Sequence, residues 1–493
     1  MIKSLIYAVL LGISWQSVLA ANYYVSPTGK DANPGTLFSP WKTIQHACDK
    51  VPSGGAVLVA SGVYKEAVTV KRSMTLTNAV GAKPVIDGTG VAVPSDNAAL
   101  VLVNGISHVT IQGFEIRNYK TTDSTLLPIG ILVEGAANGI TIRGNQIHDI
   151  ENDGSDAKNI NAFGFVAYGN SSKGAITSLV IDRNTIYSTK TGNSETMTVN
   201  GNVNGFRITN NLVHDVDNIG IDCIGFEGTS PIAGQDQARN GYVALNTVYN
   251  VSSLHNPAYF GSDAADGIYV DGGTEIVIER NTIHNADLGM EVTSEHAGKV
   301  ASGVIVRSNL IYACTITGLS IGGYDSKRGG TTSCTFVNNT FYGNDTTNSG
   351  SGEFMVQFYT KGNVFENNIL YATSQGVLVS TAPGSGIPGV TADYNLFFTA
   401  VAGNENWLWG TKSYSTLTSF QQGSHQDSHS SLVDPSFVSA PSFNFRLNAH
   451  SPAINAGTNL STGIVGTQDL SGNPRVNGKS IDMGCYESAT SGP

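Results

Sequence analysis

Thr274-Glu-Ile-Val-Ile-Glu-Arg-Asn281-Thr-Ile-His284-Asn-Ala-Asp-Leu-Gly289-Met-Glu-Val-Thr293 contains one full unit of the pattern that decides the fold. A run of alternating apolar residues leads to Asn281, an apolar residue and His284 follow, and a glycine then opens a second alternating run. The same rung, Asn, any residue, an apolar residue, then His or Tyr, recurs at Asn145, Asn184, Asn211, Asn246, Asn309, Asn339 and Asn368. Successive spacings are 39, 27, 35, 35, 28, 30 and 29 residues. A repeat of this length predicts a solenoid, and period-2 alternation inside each copy predicts strands rather than helices.

One such unit cannot bury its own apolar face. Stacking units coil on coil buries a continuous core and pairs each backbone group with the coils above and below. Equivalent residues then lie about 4.8 Å apart, so the asparagines are expected to form a buried ladder, each amide bonding the next. A preference of Asn for left-handed turns accounts for one or two copies. It does not account for eight in register.

These rungs resemble the right-handed parallel β-helix family, the pectate-lyase-like fold, over roughly residues 22–487. The resemblance implies an all-β right-handed parallel β-helix, a single-stranded solenoid with an N-terminal cap and a C-terminal closing segment. Residues 1–20 read as a signal peptide, with Lys3, an apolar Leu5 to Val18 and a small-residue cleavage site at Val18-Leu-Ala20. Residues 21–68 read as the N-terminal cap, with a short amphipathic helix from about Thr43 to Val51. The coils take 69–382. Residues 383–493 hold terminal coils and a C-terminal segment of the same domain, which the resemblance implies completes the last coils. Asn404 to Ser430, with Trp407 and Trp409, reads as an excursion over one face.

The expected product is secreted or periplasmic, with no membrane span, and a monomer. Losing Lys3 takes the net charge from −11 to −12, which argues against a nucleic-acid partner. Five cysteines without a CxxC argue against a metal knuckle or a dense disulfide framework. Cys223 reads as a buried small hydrophobe, and a Cys314–Cys334 bridge is an open option.

A solenoid has no natural pocket, so chemistry must sit on an outer face framed by loops. Aligning the glycine-led strands puts the first and third residues after each glycine in the core and the second and fourth outside. In three middle coils the outward set is Asp222, Tyr269, Asp271, Glu291 and Thr293. Just beyond lie Glu227, Glu295, His296, Tyr324, Asp325, Lys327 and Arg328, and Tyr168 faces out one coil earlier in the alignment. Like charges on one sheet face cost stability unless a cation, a shared proton or a substrate uses them.

Asp222, Asp271 and Glu291 are therefore the candidate catalytic residues. Tyr168, Glu227, Tyr269, Glu295, His296, Tyr324, Asp325, Lys327 and Arg328 are the candidate substrate-binding residues. Phe226 and Tyr259 add flat surfaces for sugar rings. Paired carboxylates fit a glycoside hydrolase acting on a polysaccharide or oligosaccharide, with no cofactor required. A Ca²⁺-dependent uronate lyase or C5-epimerase, with Lys327, Arg328 or His296 as base, is the alternative. A non-catalytic glycan binder is the third reading.

Overall fold

The computed structural model describes residues 22–95 and 99–488. The signal-peptide reading falls outside them. Three long sheets, of 17, 13 and 13 strands and parallel but for the terminal strand Lys412–Tyr414, run the length of the molecule. Each coil contributes to all three in turn. Thr274–Glu279 lies in the first sheet, Thr282–Ala286 in the rung sheet and Leu288–Thr293 in the site sheet. This is the right-handed parallel β-helix that the repeat implies. No helix among the described residues is long and apolar enough to cross a membrane.

The ladder forms as expected and is one rung longer. Each Nδ2 from Asn145 to Asn368 donates to the Oδ1 of the next asparagine at 2.9–3.2 Å, ending on Asn395. Asn395 in turn donates to the buried carboxylate of Asp427 at 2.9 Å. The left-handed residue at each turn is the one before the ladder asparagine, such as Arg183, Asn210, Leu245 or Arg280. The asparagine is there for its amide, not for its backbone conformation.

Beside the ladder the repeat's aromatic position makes a second column. The rings of His148, Tyr187, His214, Tyr249, His284 and Tyr312 stack at 4.6–5.2 Å with interplanar angles of at most 14°. Inside, Ile268, Val270, Met290, Val292, Leu319 and Ile321 are fully buried, as their place after each glycine requires. All five cysteines are buried and free, so the option of a Cys314–Cys334 bridge is not realised.

Both ends are closed. The helix Ile44–Lys50 plugs the N-terminal end through Ile44, Ala47 and Cys48. The Glu66 carboxylate accepts from the N–H groups of Ile44 and Gln45, which have no partner within the helix. At the other end, residues 404–430 do not cross a face. Asn406–Trp409 joins the site sheet, and the helix Leu417–Ser424 folds over the open coil. There Phe420 stacks on Trp407 at 5.7 Å. Two indoles and a phenyl are too apolar to lie on a wet surface, and the uncovered core is where they are buried. Phe420→Ala is expected to cost about 3–5 kcal/mol, read as a lower Tm and earlier exposure of tryptophan to quencher.

The C-terminal segment also departs from expectation. It does not complete the last coils. After Ser431–Leu432 it runs back along the outside of the solenoid. Phe445 and Cys485 cover Leu310 and Tyr312, while Ala453 and Met483 cover Ile369 and Leu396. Outward apolar residues on these coils need that cover.

Candidate active site

One outward column of the site sheet changes character along the solenoid. Strand register aligns Leu102, Leu132, Val166, Thr198, Asp222, Tyr269, Glu291, Ser320 and Met355. The early positions are apolar, and Leu132 and Val166 are buried in a small cluster with Phe163. The middle positions are acidic. Asp222 and Glu291 flank Tyr269 on neighbouring strands, and Asp271 stands two residues along from Tyr269.

Long loops wall this stretch. The loop between Val251 and Asp266 is tied down by the buried Asp287, whose Oδ2 accepts from the N–H groups of Ser253, Ala264 and Ala265 at 2.8–3.1 Å. Asn256 donates from the same loop to the carbonyls of Gly192 and Asp217 at 2.8 and 3.0 Å. These ties hold Tyr259 at the cleft wall. Asp236 pins the preceding loop by accepting from Gly228 and Ser230 N–H, both at 2.7 Å.

The result is two adjoining cavities, of about 350 and 420 Å³, which share Ile219, Tyr259, Tyr269 and Glu295 as their common wall. Asp222 and Asp271 line the first, with Glu195, Glu227 and Tyr168. Glu291 lines the second, with Asp263, Asp266 and Tyr324. The three acidic candidates thus share one sheet face but not one cavity. Among the described residues, no Lys, Arg or His lines either cavity.

The remaining candidates fall outside. His296 Nε2 lies 3.1 Å from Glu227 Oε1. Arg328 lies over the Tyr324 ring at 4.5 Å and 3.5 Å from Glu295 Oε2, so its charge is engaged by an acid of the site. Asp325 accepts from the Lys327 N–H at 2.6 Å, which makes it a turn residue, and Lys327 is exposed. Phe226 lies under the Lys299 ammonium at 5.1 Å rather than in a cavity wall.

Two carboxylates escape the glycine-led alignment. Glu195 precedes Met197–Gly201, a strand that no glycine opens. Asp266 immediately precedes Gly267, where strict alternation puts an inward side chain. The chain bends there: a Cβ on Gly267 would meet Ile283 Cγ2 at 2.5 Å, so the glycine faces the core and Asp266 faces the cavity.

The acids are deeply buried, with Asp222 1%, Asp266 2%, Asp271 4% and Glu291 6% exposed. Burial pushes all four carboxyls up, and the charges of neighbouring acids add to it. For Asp222 the leading neighbour is Glu195, and for Asp271 it is Glu295. The Glu295 N–H, donating to Asp271 Oδ1 at 2.7 Å, opposes the rise and fixes the carboxylate. Glu291 is pushed up to about 8 and Glu195 to about 7, burial being the main cause in each. Asp222 Oδ1 and Asp266 Oδ1 have no hydrogen-bond partner among the described residues.

A carboxyl whose pKa is higher folded than unfolded holds extra protons in the native state. Stability is then lost as pH climbs from the ordinary value of 4.5 toward about 8 for Glu291. Glu291→Gln is expected to match the wild type near the ordinary carboxylate range. At mildly alkaline pH it should exceed it by a few kcal/mol, on the order given by the linkage relation. Tm against pH for both proteins checks this; a wild type that gains stability toward alkaline pH would contradict it.

Glu227, Asp271 and His296 each offer a ligand atom within 4.8 Å of the others. The set mixes an imidazole nitrogen with carboxylates. Ca²⁺ takes roughly six to eight oxygen ligands, so the trio does not suit the Ca²⁺ that the lyase alternative requires.

The family described as "Right handed beta helix region" matches residues 239–420. "Pectate lyase PEL9" of Emericella nidulans is 28% identical over 169 residues, 31% of this chain and 40% of that protein. Among solved structures, the GH136 lacto-N-biosidase from Eubacterium ramulus superposes with a TM-score of 0.52 at 15% identity, covering 76% of this chain and 68% of its own. PfbA, a surface adhesin of Streptococcus pneumoniae, gives 0.50 at 11% identity, covering 72% and 85%. Both structural matches speak to fold alone. "Uncharacterized protein YwoF" of Bacillus subtilis (strain 168) is 36% identical over 436 residues, 87% of this chain and 91% of that protein. The chain therefore belongs with YwoF to one family of right-handed parallel β-helix proteins.

Proposed function

We propose that the protein is an exported glycoside hydrolase acting on a polysaccharide or oligosaccharide, with Asp222 as general acid and Asp271 as general base. One observation carries the reading: two deeply buried carboxyls from adjacent strands face one cavity that no basic side chain lines among the described residues. The strand register puts their backbones on the order of 8 Å apart. Inverting glycosidases hold their two carboxyls about 6.5–9.5 Å apart, which leaves room for a water beside the sugar.

Asp222 has the surroundings of an acid. It is the more buried of the pair, and its neighbours' charges favour the protonated form, so it can give a proton to the leaving oxygen. Asp271 is anchored by the Glu295 N–H and faces the same space, as a base positioning water must. Tyr168, Tyr259 and Tyr269 supply ring faces with polar tips for the sugar.

A lyase needs a base to take the C5 proton and a positive charge to meet the uronate. Here Arg328 and His296 are each paired with an acid. Assays on a polysaccharide panel separate the two. Hydrolysis raises reducing ends without the ultraviolet absorbance of a C4–C5 double bond, and a chelator leaves it unchanged. Products that absorb, or activity lost on chelation and restored by Ca²⁺, would refute the hydrolase reading.

A further inference from the structure

The second cavity has a composition of its own. Four carboxyls, those of Asp263, Asp266, Glu291 and Glu295, face it with three tyrosines, Tyr259, Tyr269 and Tyr324. Its other walls are largely apolar, through Leu288, Ile316 and Met355. Asp266 Oδ1 and Gln357 Oε1 are buried in this wall with no partner among the described residues. Both are oxygens. With Asp266 ionised both oxygens only accept, so a ligand that satisfies them must bring hydrogen-bond donors, and a cation is what holds the carboxyl in that form. A ligand that also relieves the crowding of acids must bring positive charge. Acids with aromatic faces are the surroundings that hold an organic ammonium, by charge-assisted hydrogen bonds and by attraction to the ring quadrupole.

We infer that this cavity is a subsite for a hexosamine residue with a free amine, whose ammonium is held by Asp266 and Glu291 against the tyrosine rings. The inference rests on the glycosidase reading and names the sugar class that lies beside the cleavage cavity. A neutral sugar offers donors but leaves the acids uncompensated. An N-acetylated sugar keeps one N–H donor but loses the charge and adds a carbonyl acceptor that faces acceptors. A uronate brings a further negative charge. The shared wall of Tyr269 and Glu295 puts the subsite next to the Asp222 and Asp271 pair, so a polymer of amino sugars would span both cavities.

The test uses the mature protein carrying Asp271→Asn, which blocks turnover in the first cavity. Glucosamine and galactosamine are titrated by calorimetry near neutral pH against N-acetylglucosamine, glucose, galacturonate and methylamine. At least one amino sugar should bind about tenfold or more tightly than all four comparators, the scale of one charge-assisted hydrogen bond. Asp266→Asn and Glu291→Gln, each added to that background, should abolish the preference, the amino sugar then binding no more tightly than glucose. Circular dichroism checks that both variants fold, and either one alone suffices if the other does not.

Equal or tighter binding of the acetylated, neutral or anionic sugar would overturn the inference. So would no saturation by either amine, equal binding of methylamine, or a preference that survives in both variants. Hydrolysis of the polysaccharide panel by the wild type is read separately. Asp271-dependent hydrolysis without amine preference removes only this inference. Amine preference without any hydrolysis leaves the subsite and removes the glycosidase reading.

Discussion

Asp271→Asn is expected to lower kcat by about 10²–10⁴-fold, the range for losing a positioned general base, while Tm holds or rises. The carboxyl is buried among other acids, so the amide relieves repulsion as it removes the proposed base. Asp222→Asn should cost a similar factor. The double variant should lose little more, because acid and base act on one transition state and their effects do not add. Initial rates on the best substrate of the panel, with Asp49→Asn on the N-terminal cap helix as control, read this directly. Full activity in Asp271→Asn would remove the site assignment.

The pH profile adds a sharper check. The Glu195 charge is, after burial, the first cause holding the Asp222 carboxyl up. Glu195→Gln should therefore lower the Asp222 pKa and move the alkaline limb of kcat toward acid. An alkaline limb that does not move, or moves to higher pH, would show that Asp222 is not the proton donor.

Asn281→Ala should be among the most destabilising single changes in the chain. Asn281 Oδ1 accepts from both the backbone N–H and the side-chain amide of Asn246. Its own amide donates to Asn309 and to the Val243 carbonyl. Alanine takes the partner of the Asn246 N–H and a donor from the Val243 carbonyl on one neighbouring coil, and one of the two donors to Asn309 Oδ1 on the other, at about 1–3 kcal/mol for each group stranded. Part of this is recovered if water enters the gap. A net loss of about 3–5 kcal/mol is expected, in the range reserved for breaking a buried polar network. Hydrogen exchange should show the loss first in Thr247–Val251 and Leu310–Tyr312, the strands that flank the missing rung. Unchanged exchange there would mean that the amide ladder carries no stability.

The ladder was legible because the repeat states it eight times and stacking leaves one use for a buried amide at a turn. The ninth rung was harder to see, since Asn395 is followed by Leu-Phe-Phe398 and the His or Tyr of the pattern is missing. The column of Asp222, Tyr269 and Glu291 was legible for a related reason. Rungs fix the register, and period-2 alternation fixes which residues leave the core. Glu195 and Asp266 broke those local rules, one on a strand without a leading glycine and one at a bend. Read as an excursion, residues 404–430 were misplaced because an exposed loop and an end cap look alike until the open coil is in view.

By itself, then, the sequence determined a wound stack of strands, its internal amide ladder and an acidic patch on one outer wall. Each is a local pattern repeated in register, and stacking turns local repetition directly into neighbourhood. Only the tertiary structure decided that the patch divides into two cavities and which acids face which. Those walls belong to aperiodic loops held by distant partners, such as Asn256 on Gly192, 64 residues away along the chain. No spacing in the sequence encodes such a contact, because the stacked coils bring the partner within reach only once they have formed.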